Sequence, residues 1–155
     1  MKISGAHTVS APRDRAYAFL QDPVVLAKCM PGCESLERIG DGEYRMKMKM
    51  ILASVSGLFD GKVKIADPNE PFSFRLIVEG EGKIGFVKGE GLLTLTEENG
   101  ATNVAYDGAV EIGGRIAAVG QRLIDSTARL LIKRFFAKLN SEIEVAGEGA
   151  TGSAG

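Results

Sequence analysis

The sequence predicts an α+β protein in which a seven-stranded, curved antiparallel sheet wraps around one long C-terminal helix. Three observations predict this fold. Residues 36–112 alternate between apolar and polar side chains in segments separated by turn residues. One long segment with helical periodicity follows, at about residues 115–144. Two short helical segments separate the first strand from the others, and short connections between the later strands favour an antiparallel meander.

The elements follow one another in a simple order. The first strand covers residues 1–10, and Pro12 marks the start of a short helix for which Ser10 is the predicted N-cap. Asp22-Pro23 ends this helix, and a second short helix extends to the Pro31-Gly32 turn. The six remaining strands are predicted at about residues 36–39, 44–52, 63–65, 72–78, 84–96 and 102–112.

One predicted strand carries three methionines at every second position. Tyr44, Met46, Met48 and Met50 share one face, and basic residues occupy the positions between them. Methionine suits a surface that accepts an apolar guest of variable shape, although an ordinary core stripe gives the same pattern. Glycines within the later strands predict strong curvature of the sheet, and a curved sheet that grips a helix tends to enclose a cavity. These glycines are Gly80, Gly82, Gly85, Gly89, Gly91 and Gly108.

The long helix has two candidate apolar faces. The first consists of Ile116, Leu123, Thr127, Leu130 and Leu131, which predicts core packing. The second is turned by roughly 150° from the first and consists of Ile132, Phe135, Phe136, Leu139 and Ile143. Either the helix bends around a twisted sheet, or its second half faces something else. Residues 1–145 are predicted to form a single domain and residues 146–155 a flexible, Gly-rich tail.

Composition argues against several classes of protein. A formal net charge of −1, with both signs mixed along the chain, does not favour nucleic-acid binding. Residues 1–5 do not begin an apolar run with a cleavage site, and no uncharged stretch of about 18 residues could span a bilayer, so we expect a cytoplasmic protein. Cys29, Cys33 and His7 do not have the spacing of a metal or thioredoxin-like redox site, which predicts no metal and no cofactor.

The sequence contains few residues in an arrangement that is typical of a catalytic site. Residues 80–85 match G-x-G-x-x-G, but more strand follows them rather than a helix, so this is not a dinucleotide site. His7 has no acid or nucleophile near it in sequence. The candidate carboxylates are predicted to lie on a solvated outer face. They are Glu79, Glu81, Glu90 and Glu111.

Several short strings, in their order and spacing, carry a family resemblance. They are MPGC at 30–33, GLFDG at 57–61, GEG at 80–82, KGEG at 88–91 and GGRIAAVGQR at 113–122. With these strings the sequence resembles the CoxG family of carbon monoxide dehydrogenase subunits, within the START-like (SRPBCC, Bet v1-like) helix-grip superfamily. The order of elements over residues 1–144 is similar to that superfamily as well.

The resemblance implies a non-catalytic accessory protein that binds a hydrophobic small molecule, either a lipid or a quinone. It implies a molybdenum-containing carbon monoxide dehydrogenase or a related hydroxylase as partner. It also implies association with the inner face of the membrane, where the enzyme would couple to quinone. Two alternatives stay open: an enzyme similar to a cyclase or hydrolase that uses Tyr106, and a docking module built on Phe135, Phe136 and Leu139.

The binding site is predicted between the sheet and the long helix. Its predicted lining residues are Met46, Met48, Met50, Phe74, Leu76, Tyr106, Ile116, Val119, Leu123 and Leu131. Tyr106 would be the polar group that orients the ligand. The predicted mouth consists of Met30, Pro31 and Gly32, with the short helices as a lid.

Overall fold

A computed structural model of the chain describes residues 1–52 and 54–154, with side chains as far as Ala146. The described residues form seven β-strands, three α-helices and one 3₁₀ helix. In chain order they are β1 (Lys2–Val9), α1 (Arg13–Gln21), α2 (Pro23–Cys29), β2 (Cys33–Gly40), β3 (Glu43–Leu52), β4 (Val55–Asn69), β5 (Ser73–Gly82), β6 (Gly85–Glu98), β7 (Ala101–Gly113), a 3₁₀ helix (Arg115–Val119) and α3 (Gln121–Ala154).

All seven strands belong to one antiparallel sheet with the order β1-β7-β6-β5-β4-β3-β2. From β2 to β7 each strand pairs with its neighbour in the chain, because short turns connect them. β1 then pairs with β7 at the far edge. The predicted fold class is therefore confirmed: a curved sheet grips a long C-terminal helix, with two short helices after the first strand.

The core consists of two separate clusters under α3. The larger cluster joins α1, α2 and the sheet to the later turns of α3, where Phe136, Leu139 and Ile143 are buried. The second cluster contains Ile116 and Ile124, near the start of α3, with side chains from β3 and β4 and from the turn after β5. Both clusters fix the helix to the sheet by burying apolar surface.

The long helix begins later than predicted. Residues 115–119 form a 3₁₀ helix, and Gly120 then adopts φ 100°, which favours glycine and interrupts the helical path. α3 starts at Gln121. The predicted helix start at Arg115 is therefore wrong, and Ile116 does not belong to the periodic pattern of α3.

This break also corrects the predicted apolar faces. Leu123 and Leu130 are 36% and 45% exposed, so the first face is not a core face. Ile124 is buried near the start of α3, and the second predicted face continues from it along the helix. One inward face therefore serves the whole described helix, since the phase is reset at Gly120.

The helix starts and the chain end also differ from expectation. Pro12, not Ser10, occupies the N-cap of α1, whereas the Asp22 carboxylate accepts a hydrogen bond from the Val24 backbone N–H at 2.9 Å and caps α2.

α3 continues to Ala154, through most of the predicted tail at 146–155. The side chains of 147–155 lie outside the described residues, so the division at 145 stays a prediction.

Side chains of α3 cover the free edge of β1. The Arg129 guanidinium donates to the Ser4 carbonyl at 3.1 Å, and the Asn140 amide donates to the Thr8 carbonyl at 3.0 Å. The Asn140 side-chain oxygen accepts from the Ser10 backbone N–H at 2.9 Å. Backbone groups that a terminal strand would leave unpaired are thereby satisfied, and α3 is fixed along this edge.

We expect Asn140→Ala to lower the free energy of unfolding by about 1–2 kcal/mol, because two hydrogen bonds to the edge strand are lost. Urea denaturation followed by circular dichroism measures the change. Asn103→Ala, which removes an exposed amide on β7, is the matched control and should have a smaller effect. Equal effects of the two substitutions would contradict the role of Asn140 at this edge.

Candidate functional site

An apolar cavity of about 310 Å³ lies between α3, the two short helices and the concave face of the sheet. Its floor comes from β3 to β7, with contributions from Ile3 of β1 and from Cys33 and Leu36 of β2. Its walls and roof come from Leu20 of α1, Leu26 of α2 and four apolar side chains of α3. Those α3 residues are Leu131, Ile132, Phe135 and Phe136. The cavity adjoins the larger core cluster, with which it shares Leu20, Phe74 and Phe136, and it lies under residues 131–136 of α3.

Glycines form part of the cavity floor. Gly91 of β6 is paired with Gly108 of β7, and both line the cavity together with Gly89. A Cβ atom on Gly108 would lie 2.5 Å from the Glu90 carbonyl oxygen, so glycine is required there. At Gly91 the nearest atom would be 3.4 Å away, an ordinary contact. The floor is therefore free of side chains where β6 and β7 meet, and this absence creates room under α3.

The methionine strand contributes only its first half to the cavity. Tyr44 and Met46 line it, whereas Met48 is buried farther along β3, outside the cavity lining. Met50 packs against the second core cluster. Residues two apart on a strand are separated by roughly 6.6 Å, so a cavity of this size contacts only part of a ten-residue strand.

Of the residues that the sequence analysis assigns to the site, Phe74, Leu76, Tyr106 and Leu131 line the cavity, and Met30 lines it from the end of α2. Several other predicted residues lie elsewhere. Ile116 and Val119 belong to the second core cluster, and Leu123 is partly exposed on α3. Their placement was wrong because it was derived from a continuous helix through Gly120. Pro31 and Gly32 are outside the lining as well.

Gly32 has a structural role beside the cavity. It has φ 82°, and its carbonyl accepts a hydrogen bond from the Lys49 backbone N–H at 2.8 Å. A Cβ atom at this position would collide with the Lys49 carbonyl. The turn that connects Met30 and Cys33, both cavity residues, is thereby fixed to β3.

Tyr106 is held in place by its neighbours on β1. It is paired with Gly5, and a Cβ atom on Gly5 would lie 2.5 Å from the Tyr106 hydroxyl oxygen. The tyrosine ring therefore lies over the glycine. His7 is stacked between this ring and Phe136, with ring centroids at 6.2 Å and 4.8 Å respectively. This aromatic stack lies at one side of the site. In the sequence, the only sign of it is that Gly5 and His7 lie two residues apart, on one face of the same strand.

Charged side chains are turned away from the cavity. Glu90 and Asp107 contribute to the lining, but both side chains are exposed, and the Glu90 carboxylate accepts from Arg75 at 2.9 Å on the outer face. Glu79, Glu81 and Glu111 are exposed as well. Thr102 is buried, and its hydroxyl donates to the Ala11 carbonyl at 2.7 Å.

Of the two cysteines, only Cys33 lines the cavity. Burial raises the pKa of the Cys29 thiol to about 11, and the charge of Glu142 acts in the same direction. Burial also raises the pKa of Cys33. Both are therefore thiols at neutral pH. Within the part of the chain that is described, no group of three or more potential metal-binding side chains is present.

The docking surface predicted at Phe135, Phe136 and Leu139 is wrong at these residues. Phe136 and Leu139 are buried in the larger core cluster, and Phe135 lines the cavity. Sequence analysis also missed the contributions of Leu20, Leu26 and Tyr44. Tyr44 has the same phase as Met46 and could have been included. The sequence predicts the short helices as a lid, but it does not show which of their side chains face the cavity.

Structural comparison supports the fold at two levels of similarity. A conserved protein from Geobacillus kaustophilus is 35% identical, with a TM-score of 0.90, and the match covers 94% of this chain and 97% of that one. A START superfamily protein from Mycobacterium smegmatis is 15% identical, with a TM-score of 0.69 and coverage of 94% and 98%. The Zhui aromatase/cyclase from Streptomyces sp. R1128 is 14% identical, with a TM-score of 0.63 and 93% coverage of each chain.

No curated protein sequence gave a match. No helix among the described residues is both long enough and apolar enough to span a membrane. The family model for the CoxG type of carbon monoxide dehydrogenase subunits matches residues 5–144, which include every helix and nearly every strand residue that contributes to the cavity. The chain therefore belongs to the CoxG family of carbon monoxide dehydrogenase subunits, and it has a START-like helix-grip fold.

Proposed function

We propose that the protein is a non-catalytic carrier that holds a neutral, hydrophobic small molecule, such as a quinone, between α3 and the sheet. The single observation that carries this proposal is the apolar cavity of about 310 Å³ under the middle of α3. A well-packed domain of this size has few voids larger than a water molecule. This cavity lies in the range of about 300–1,000 Å³ that is typical of small-molecule pockets, which is enough for a ring-sized ligand.

The lining selects against a charged ligand. No lysine, arginine or histidine side chain of the described residues lines the cavity, so the carboxylate of a fatty acid would lose its hydration without gaining a partner. The Tyr106 hydroxyl can donate one hydrogen bond, which suits the carbonyl oxygen of a quinone. An apolar site with one orienting polar group is typical of small-molecule pockets.

The arrangement favours a carrier over an enzyme. General acid–base catalysis needs a titratable group within hydrogen-bond reach of the substrate. The described carboxylates are not buried, and His7 is stacked between two aromatic rings outside the cavity lining. We infer that the ligand leaves unchanged. By family membership, the recipient or source would be a molybdenum-containing carbon monoxide dehydrogenase or a related hydroxylase.

Native mass spectrometry of the protein purified from its own cells, followed by extraction of any bound molecule, tests the proposal directly. A quinone or other neutral lipid at near-stoichiometric occupancy is the expected result. An empty protein that also fails to bind added quinones would contradict the proposal.

Gly91→Val should weaken quinone binding at least tenfold and leave the fold intact. The new side chain would occupy the floor of the cavity, while its Cβ atom meets no atom closer than 3.4 Å. Valine also suits a strand better than glycine does, so we expect no loss of thermal stability. Fluorescence titration measures binding, and Gly80→Val, on the concave face but outside the cavity, is the control. If Gly91→Val binds the quinone normally, the cavity floor is not the site.

Gly5→Ala should also weaken binding, by about tenfold, which corresponds to ~1.4 kcal/mol. The added methyl group would displace the Tyr106 ring, whose hydroxyl oxygen would be 2.5 Å away, towards the cavity. A double-mutant cycle with Tyr106→Ala separates this effect from general damage. In the Tyr106→Ala background the Gly5 substitution should have no further effect, and a persistent effect would show that it acts through other residues.

A bound ligand should protect Cys33 from a maleimide reagent, because this thiol lines the cavity. Cys29 should react more slowly than Cys33, since its side chain is buried and its pKa of about 11 leaves little thiolate at neutral pH. Peptide mapping after timed labelling, with and without saturating quinone, measures both rates. Labelling of Cys33 that is unaffected by quinone would place the ligand elsewhere.

A further inference from the structure

A second hollow, larger than the cavity, lies on the outer face of the sheet. This outer groove has a volume of about 640 Å³ and crosses β3, β4, β5 and β6. Gly61 and Gly80, which are paired with each other on β4 and β5, contribute backbone to it. The side chains around it are Arg45, Lys47, Asp60, Lys62, Glu79, Glu81, Phe86 and Lys88. The sheet therefore separates a polar groove from the apolar cavity.

The strand register sorts the side chains of the outer groove by their chemistry. Two neighbouring rows cross the four strands, and each begins with a cation on β3. The rows are Lys47, Asp60, Glu81, Phe86 and Arg45, Lys62, Glu79, Lys88. Three cations thus lie at the β3 side, three carboxylates lie in the middle, and an aromatic ring lies at the β6 side. Three strand spacings of ~4.8 Å separate β3 from β6, a span of about 14 Å.

The charges of the outer groove do not stabilise the sheet. All of its charged side chains are exposed, and none forms an ion pair with another described residue. Arg45 lies directly opposite Lys62, and like charges in this position destabilise a sheet. Asp60 lies directly opposite Glu81 in the same way. A ligand of complementary charge would offset this repulsion.

Phe86 provides the aromatic surface of the outer groove. It is paired with Gly113, and a Cβ atom at Gly113 would collide with the phenyl ring, so the ring lies over this glycine. The residue stays partly exposed, and the Lys88 ammonium lies 5.8 Å from the ring centroid. An accessible aromatic face can stack on a nucleic-acid base, and a neighbouring cation adds to the attraction.

We propose that the outer groove binds a nucleoside diphosphate in an extended conformation. The base would stack on Phe86, the ribose hydroxyls would donate to the central carboxylates, and the phosphates would be bound by the cations of β3 and β4. The aromatic, acidic and basic side chains follow one another across the strands in the same order as base, sugar and phosphate in the ligand. The phosphates would lie far from residues 80–85, so this site differs from the dinucleotide site excluded above.

Isothermal titration calorimetry of the full chain with ADP, adenosine and inorganic pyrophosphate tests the inference. We expect ADP to bind at least tenfold more tightly than either fragment, and to bind more weakly at high salt because exposed cations hold the phosphates. Arg45→Ala/Lys62→Ala should weaken ADP binding at least tenfold without loss of thermal stability, since it removes a repulsive pair. The control Lys133→Ala/Arg134→Ala removes the same charges from exposed positions of α3 and should bind ADP almost normally.

A second variant tests the aromatic side of the outer groove. Phe86→Leu keeps an apolar side chain but removes the stacking surface, so it should weaken ADP binding about tenfold and leave pyrophosphate binding unchanged. It should also leave quinone binding unchanged, which separates this inference from the carrier proposal. Equal losses in the two charge-removal variants would overturn the assignment. Absence of ADP binding would overturn it as well, and so would an ADP affinity no higher than that of pyrophosphate, which would indicate a site for any anion.

Discussion

The cavity depends on how α3 is attached to the sheet. Ile124 anchors its start in one core cluster, and Phe136, Leu139 and Ile143 anchor its later turns in the other. Arg129 and Asn140 add hydrogen bonds along the β1 edge. Because the helix is held on both sides of its middle, it does not need the central floor of the sheet for support. The space between the anchors can therefore stay unfilled without loss of the fold.

The sequence predicts the architecture well because strand alternation, turn residues and the order of elements are local features. The predicted site was less accurate, and one residue explains the misplacement of Ile116, Val119 and Leu123. Gly120 interrupts the helix, so a wheel that begins at Ile116 assigns the wrong phase to Leu123 and Leu130. The sequence also cannot show how far a cavity extends along a strand. Met46, Met48 and Met50 share one face of β3, yet only Met46 lines the space.

The chain separates its polar chemistry from its apolar interior. The strands place their charged residues on the outer face or in the connections, and the cavity contains little beyond hydroxyl and thiol groups. A neutral guest can therefore be held by apolar contact, since burying an unpaired charge would be costly.

The glycines in the cavity floor show that the cavity has an energetic cost. Glycine within a strand costs roughly 0.5–1 kcal/mol relative to alanine, and an empty cavity forfeits the contacts that a side chain would make. At Gly108 the close approach of the Glu90 carbonyl explains the residue, but at Gly91 a Cβ atom would be accommodated. Packing therefore does not require glycine at position 91. A bound molecule would supply the missing contacts, and a binding role accounts for a residue that stability alone would replace.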